Sequence, residues 1–418
     1  MVERGPGAGE RRRRRLLVLG AGGAQLGLLE AARALDLFTV AVDRDPGAPG
    51  FSFADRRAII STEDEPSIER LAEAERIDGA IAPGIDWPVG VAARIAKRLA
   101  LPHPLSPETA QLTISKLRQR ERFAEAGVPQ PGSELCKSLD EAAAAAERFG
   151  FPCVVKAPDR QGQRGLARVA GADDLAAAVE SALKASRSNA CLVEELVEGQ
   201  EVTVNAFSVD GRFYPLTVTD RVRAEPPAFG VALAHVWPSA LEPAAVGAAV
   251  ESAREAAAAL GIENGPTYTQ VVVGDGDVRV VELAARLGGG HDAELCELAL
   301  GVDLNELALA AALGEHIPPH ALTPIDPAGG AVTRFLTAGE GELRAVEGVE
   351  EAQAVEGVAR VRVYRRPGWH FAPLRVGADR AGAVQAVGDS RKQALERAAA
   401  AAERIRFVTA DVDAKALA

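Results

Sequence analysis

Sulfur and aromatic side chains are scarce in this chain of 418 residues, which has four cysteines, one methionine and only 4% aromatics. The cysteines (Cys136, Cys153, Cys191 and Cys296) lie far apart and form no C-x-x-C pair. That spacing argues against a zinc site or a disulfide framework and sets the expectation of reduced thiols in a cytoplasmic protein. Long apolar runs are missing as well, and none approaches the ~18 residues a membrane-spanning helix needs. Positive charge is in deficit, with 47 Lys and Arg against 59 Asp and Glu for a net charge of −12. Such a balance argues against a nucleic-acid partner, because phosphate binding demands a basic surface. No solenoid repeat is present, and no Ser-His-Asp or Cys-His constellation marks a covalent nucleophile.

What is there has a globular composition, 47% apolar and 25% charged, and length enough for roughly two to three domains. The one concentration of basic residues is Arg11–Arg15 in "ERRRRRLLVLG". Its apolar continuation is short and breaks at Gly20, so it does not read as a signal peptide. Residues 1–15 are therefore expected to be a disordered basic extension with solvated arginines.

Residues 16–105 alternate strand and helix, with strands over Leu16–Leu19, Phe38–Val42, Ile59–Ser61 and Gly79–Ala82. Helices between them imply a parallel sheet, whose ligands gather at the C-terminal strand ends. Gly20, Asp43 and Asp86 in "PGIDW" fall on that rim. The opening turn "GAGGAQLG" could seat a dinucleotide pyrophosphate, with Asp43 imitating the ribose-binding acid, or could simply join a strand tightly to a helix. Its spacing departs from G-x-G-x-x-G, because Gln25 stands where the third glycine belongs. "LPHPLSPETA" ends this unit, with Ser106 as helix cap and Pro107 in the first turn. A helix over Glu108–Ala126 is expected next. Helices over Asp140–Phe149 and Asp173–Ala185 follow, with strands at Cys153–Ala157 and Ala190–Glu194. Two hairpins come after these, turning at Gly211 and at Gly274–Gly276. The chain closes with short strands and a helix over Ser390–Arg406.

Four stretches carry candidate chemistry. Lys116 sits on a helix, where a lysine alone means little. In "FPCVVKAPDRQGQRGL", Lys156 ends an apolar strand, where a buried ammonium needs an anionic partner. Gly162 and Gly165 follow in a loop that can approach phosphate oxygens closely, and Arg160 and Arg164 make that loop positive. "CLVEELVEGQEV" runs a strand into Glu194 and Glu195, a connector that could meet a purine edge, with Glu201 able to accept from ribose hydroxyls. Gln270 and Glu282 fall on adjacent strands of one hairpin, where facing side chains are about 5 Å apart and can share a hard cation. Arg286 and the run Gly288–Gly290 follow, suited to phosphate or carboxylate.

Each stretch alone also has an ordinary reading, as a solvated face, an acidic hairpin or a polar cross-strand pair. Their order resembles the ATP-grasp superfamily of carboxylate–amine ligases, in the branch with L-amino acid ligases and purine-biosynthetic enzymes. The resemblance covers nearly the whole chain after residue 15. It implies a Rossmann-like domain over 16–105, an ATP-grasp domain over 106–314 with a lid at about 135–195, and a C-terminal α+β subdomain over 315–418. The implied fold is mixed α/β and α+β, with the nucleotide between two antiparallel sheets. By the same resemblance Lys116 and Lys156 contact ATP phosphates beneath the Gly162–Gly165 loop, aided by Arg160. Glu194, Glu195, Leu196 and Val197 line adenine, and Glu201 binds ribose. Gln270 and Glu282 hold Mg²⁺, and Arg286 with Lys156 is catalytic. Two departures mark this chain: Gln270 stands where most members have glutamate, and Ala284 where they have asparagine, which puts a second Mg²⁺ in doubt. Substrate candidates are Asp86, Asp220, Arg223, His235, Gly289, Gly290 and His291. The expected partners are small-molecule carboxylate and amine substrates, without nucleic acid or membrane, and with a homodimer as candidate assembly. The expected reaction makes an acyl phosphate and then an amide, releasing ADP and phosphate. The alternatives are a bicarbonate-activating enzyme like the carboxylases or carbamoyl-phosphate synthetase, and a non-catalytic nucleotide-binding subunit.

Overall fold

The computed structural model describes residues 12–225, 228–274 and 276–410. The first unit is a parallel four-stranded sheet in the order Arg56–Ile59, Phe38–Asp43, Arg15–Leu19, Gly79–Ile81. Leu16 to Leu19 are fully buried, as expected of a central parallel strand covered on both faces. The third strand lies at Arg56–Ile59, earlier than the expected Ile59–Ser61; it is a largely exposed edge strand that leaves little apolar pattern to read.

Arg12 to Arg15 overturn the expectation of solvated arginines. Arg12 pairs with Asp78 (2.7 Å), Arg13 with Asp55 (2.9 Å) and Arg14 with Glu315 (2.5 Å), while Arg15 opens the central strand and pairs with Glu75. In so acidic a protein the strand ends offer carboxylates, and the arginines dock on them rather than fray. The remainder of the expected extension, residues 1–11, lies outside the described residues.

The expected helix over Glu108–Ala126 is two helices, Pro107–Thr113 and Lys116–Ala126. Ser106 caps the first, as expected. Ser115 breaks the run by accepting from the Arg118 amide and so capping a new helix, which sets Lys116 at its first position. A four-stranded antiparallel sheet follows in the order Ser133–Cys136, Cys191–Glu195, Cys153–Lys156, Leu166–Val169. It occupies the segment expected as the lid and has its own small core, centred on Val155, Leu175, Val179 and Val193.

An eight-stranded sheet forms the body, running Val278–Ala284, Gly265–Val273, Gln200–Val209, Arg212–Arg223, Ala232–Trp237, Gly330–Leu336, Gly382–Gly388 and Val358–Val363. The sheet is continuous across residue 314, so later chain extends the same layer. The closing helix ends at Ala402, short of the expected Arg406, because Arg406–Ala410 becomes a strand against Gly341–Glu347. Among the described residues no helix is long and apolar enough to cross a membrane.

The glycine turn "GAGGAQLG" admits side chains from elsewhere in the chain, while Gly22, Gly23 and Gln25 also border a cavity. A Cβ on Gly23 would meet the Tyr364 ring at 3.0 Å, and one on Gly27 would meet Glu294 Oε1 at 2.0 Å. Asp43 spends its carboxylate on the backbone amides of Ala21 (2.9 Å) and Asp45 (3.0 Å). The glycines admit neighbouring side chains, and Asp43 ties the turn. Gly27→Ala would ordinarily gain up to ~1 kcal/mol in a helix. Here Glu294 is fixed by His291 at 3.1 Å and Arg362 at 3.6 Å, so overpacking should instead cost about 1–3 kcal/mol. A lowered thermal midpoint for Gly27→Ala is the expected result; a raised one would contradict this packing.

Candidate active site

The four-stranded antiparallel sheet and the body sheet face each other across a cavity. Lys116, Lys156, Arg160, Gly162, Glu194, Glu195, Leu196, Val197, Glu201, Arg223, Gln270, Glu282, Arg286 and Asp86 all line it. Residues far apart in sequence thus converge because strand ends from both sheets point into one cleft. Lys156 and Glu282, at the ends of strands in different sheets, share its wall.

Its polar groups are compensated in pairs. Lys156 Nζ lies 2.6 Å from Glu194 Oε2, and Arg120 Nε lies 2.9 Å from Glu194 Oε1. All three side chains are buried. Burial pushes the Glu194 carboxyl up, but Arg120 and Lys156 outweigh it and hold the group at about 2. Lys156, sharing that one carboxylate with Arg120, is pushed down to about 8 by burial. Lys116 Nζ lies 2.8 Å from Glu282 Oε1 and donates to the Arg160 carbonyl at 2.7 Å. Burial acts against the charge of Glu282, yet Lys116 and Lys156 keep its carboxyl below the ordinary range. Glu201 is gripped by Arg221 (2.8 Å) and Arg223 (3.2 Å), and Arg286 by Asp86 (2.6 Å).

Gln270 and Glu282 are register partners on antiparallel strands, as the spacing implied. Ala284 also lines the cavity, bringing no donor atom to it. Gly165 stands behind the loop rather than in the wall. It has φ +67°, its carbonyl accepts from the Ala157 amide at 3.0 Å, and it packs on Ala182 and Ala185.

A second cavity, of about 330 Å³, adjoins the first and shares Gln161, Gly162, Gln163, Arg164, Arg221, Tyr268, Gln270 and Arg286 with it. This size suits a small-molecule site. Gly289, Gly290 and His235 line it, together with the opening turn and the Arg365 and Arg380 region. Four substrate candidates are not in its wall: Asp86 and Arg223 line the first cavity instead, and Asp220 and His291 line neither. Asp220 is a structural tie, accepting from Gln200 (2.5 Å), the Ala240 amide (3.0 Å) and Arg391 (2.5 Å). Its strand alternation turns it away from the face that carries Arg221 and Arg223. His291 is buried behind the wall, with Nδ1 3.1 Å from Glu294 and Nε2 2.5 Å from the Tyr364 hydroxyl. It therefore acts on the cavity only through Tyr364.

Sequence reasoning missed Arg120, Arg221, Tyr268, Arg365 and Arg380. Arg120 had a signal, four residues after Lys116 on the same helical face. Arg221 had one too, two residues before Arg223 on one strand face. Arg365 and Arg380 had none, since only the folded topology carries the end of the chain back to the opening turn.

Comparison with known proteins agrees with this geometry. Residues 115–320 match the family described as carbamoyl-phosphate synthase L chain, ATP binding domain, and residues 334–410 match L-amino acid ligase C-terminal domain 2. The formate-dependent phosphoribosylglycinamide formyltransferase of Burkholderia pseudomallei (strain 668) is 31% identical over 412 residues, covering 95% of this chain and 96% of its own length. The L-amino acid ligase from Bacillus licheniformis has a TM-score of 0.81 at 21% identity, over 96% of this chain and 100% of that one. Phosphoribosylglycinamide synthetase from Anaerococcus prevotii has a TM-score of 0.76 at 19% identity, over 95% and 100%. With an ATP-binding match over the residues that build the cleft and a relative alike from end to end, this chain belongs to the ATP-grasp ligases.

Proposed function

We propose that the protein activates a small carboxylate as an acyl phosphate at the expense of ATP and joins it to an amine, releasing ADP and phosphate. The observation that carries this reading is the convergence of Lys116, Lys156, Gln270, Glu282 and Arg286 on one cleft between two sheets. Lys116 and Lys156 supply fixed positive charge for the phosphates, and Arg286 reaches the wall shared with the second cavity. There it neutralises charge on the transferring phosphoryl group, preorganised by Asp86. The lid excludes water, so the acyl phosphate meets the amine before it meets solvent.

Gln270 and Glu282 fit a magnesium ion, because one carboxylate and one amide oxygen face each other in register and Mg²⁺ takes its remaining ligands from phosphates and water. Among the described residues no cluster of three or more His, Cys, Asp or Glu could hold a metal alone, which agrees with a cation shared with the nucleotide. Bound there, it would offset the charge of the phosphate oxygens.

The second cavity supports an anionic substrate. Arg164, Arg221, Arg286, Arg365 and Arg380 line it with no Asp or Glu among its described lining residues, and guanidinium groups match carboxylates bidentately. A coupled assay of ADP release over a panel of L-amino acids tests the reading. Release that requires both an acid and an amine is expected. Dependence on bicarbonate would favour the carboxylase alternative, and nucleotide binding without turnover would favour a non-catalytic subunit.

A further inference from the structure

An amine arrives at neutral pH mostly as its ammonium form, and it must lose a proton to attack an acyl carbon. The second cavity offers few groups that can take one. Its described ionisable lining residues are Arg164, Arg221, Arg286, Arg365, Arg380, Tyr268, Tyr364 and His235. Arginine is permanently charged. Burial pushes both tyrosines up, so neither supplies a phenolate. A neutral base remains only at His235.

Its surroundings suit that task. His235 is 2% exposed and Asp292 is fully buried, with Nδ1 standing 2.9 Å from Asp292 Oδ1. The two atoms are close but off the line of a hydrogen bond, so each counts as a buried polar atom without an aligned partner. Asp292 is itself anchored, its Oδ2 accepting from the Gly290 amide at 3.0 Å. A Cβ on Gly290 would lie 2.4 Å from His235 Cε1, so glycine here is what lets the ring reach the wall. Phe335 packs edge-on at 5.6 Å and fixes the ring from the neighbouring strand. The other charged groups around the imidazole are Arg221, its register partner, Arg380, stacked 3.7 Å over Phe335, and Arg286 in the same cavity. Among the described residues Asp292 is the one anion set against the ring, placed to hold its orientation.

We propose that His235, oriented by Asp292, accepts the proton from the amine substrate in the second step. The inference rests on the amide-forming reading above. With Nδ1 turned to Asp292, Nε2 is the nitrogen left for the amine. The ammonium gives one proton to Nε2; the amine nitrogen so freed donates its lone pair to the acyl carbon, and its second proton passes to the departing phosphate. The carbon–oxygen bond to phosphate breaks, and orthophosphate leaves with that electron pair. The imidazolium then returns its proton to phosphate or water.

Hydroxylamine separates this role from a structural one, because its nitrogen is already unprotonated near neutral pH and needs no base. The acid and amine that drive the fastest ADP release by the wild type are used, and hydroxylamine then replaces the amine. For His235→Gln, amide formation should fall ~10²–10⁴-fold while hydroxamate formation stays within about threefold of wild type. Asp292→Asn should lower amide formation to a smaller extent and leave hydroxamate formation intact. Equal loss of both products in His235→Gln, or an unchanged amide rate, would overturn the proposal. Should the wild type form no hydroxamate from any acid in the panel, the acyl-phosphate reading beneath it fails instead.

Discussion

Glu282→Ala should stop ADP release, lowering turnover by about a thousandfold or more, on the scale of losing a main electrostatic contact to the transition state. Two losses coincide at this position. The carboxylate facing Gln270 disappears, and with it the charged ligand of the proposed cation site. Lys116, which lies 2.8 Å from Glu282 Oε1, is left against the Arg160 carbonyl alone. Glu282→Gln preserves shape and one acceptor oxygen, so its defect should be smaller, and higher magnesium should recover part of it. Initial rates with a coupled ADP assay read the effect. Full activity in Glu282→Ala would sink the assignment of the metal and phosphate site.

Glu194→Ala should be the most destabilising single change in the cleft. It strands Arg120 and Lys156 with no anion beside them, and breaking a buried ion pair from one side costs about 3–5 kcal/mol. The pH dependence has a definite sign. Because the folded carboxyl sits at about 2, below its ordinary value, Glu194 contributes fully above about pH 4.5. The contribution fades as pH falls from there toward about 2. Thermal midpoints of the wild type should drop across that window, and Glu194→Gln should start lower and drop less. Parallel curves would show that the triad does not link stability to protons.

Much of this was legible before any coordinates. The parallel first sheet followed from helix-spaced apolar strands. The Gln270–Glu282 facing followed from hairpin register, because a period of two leaves little freedom once the turn is set. Lys156 announced its need for a partner by standing at the end of an apolar strand. Its partner was less legible. Glu194 looked like part of an exposed acidic hairpin, whereas it is the anion between two buried cations. Asp220 misled because an acid beside Arg221 and Arg223 in sequence points to the opposite face. The opening turn was legible only in part, because glycine records that something must come close without recording what. Here the visitors are Tyr364 and Glu294, from parts of the chain more than 250 residues on.

The loop between Lys156 and Leu166 borders both cavities, with Gln161, Gly162, Gln163 and Arg164 in each wall. Its Gln161 side chain also accepts from the Asp86 backbone amide on the first domain. A ligand that reshapes this loop from one side changes affinity on the other, and by the same factor in both directions. Nucleotide affinity measured with the acceptor absent should understate the affinity at work during catalysis, and saturating acid should tighten ATP to the degree that ATP tightens the acid.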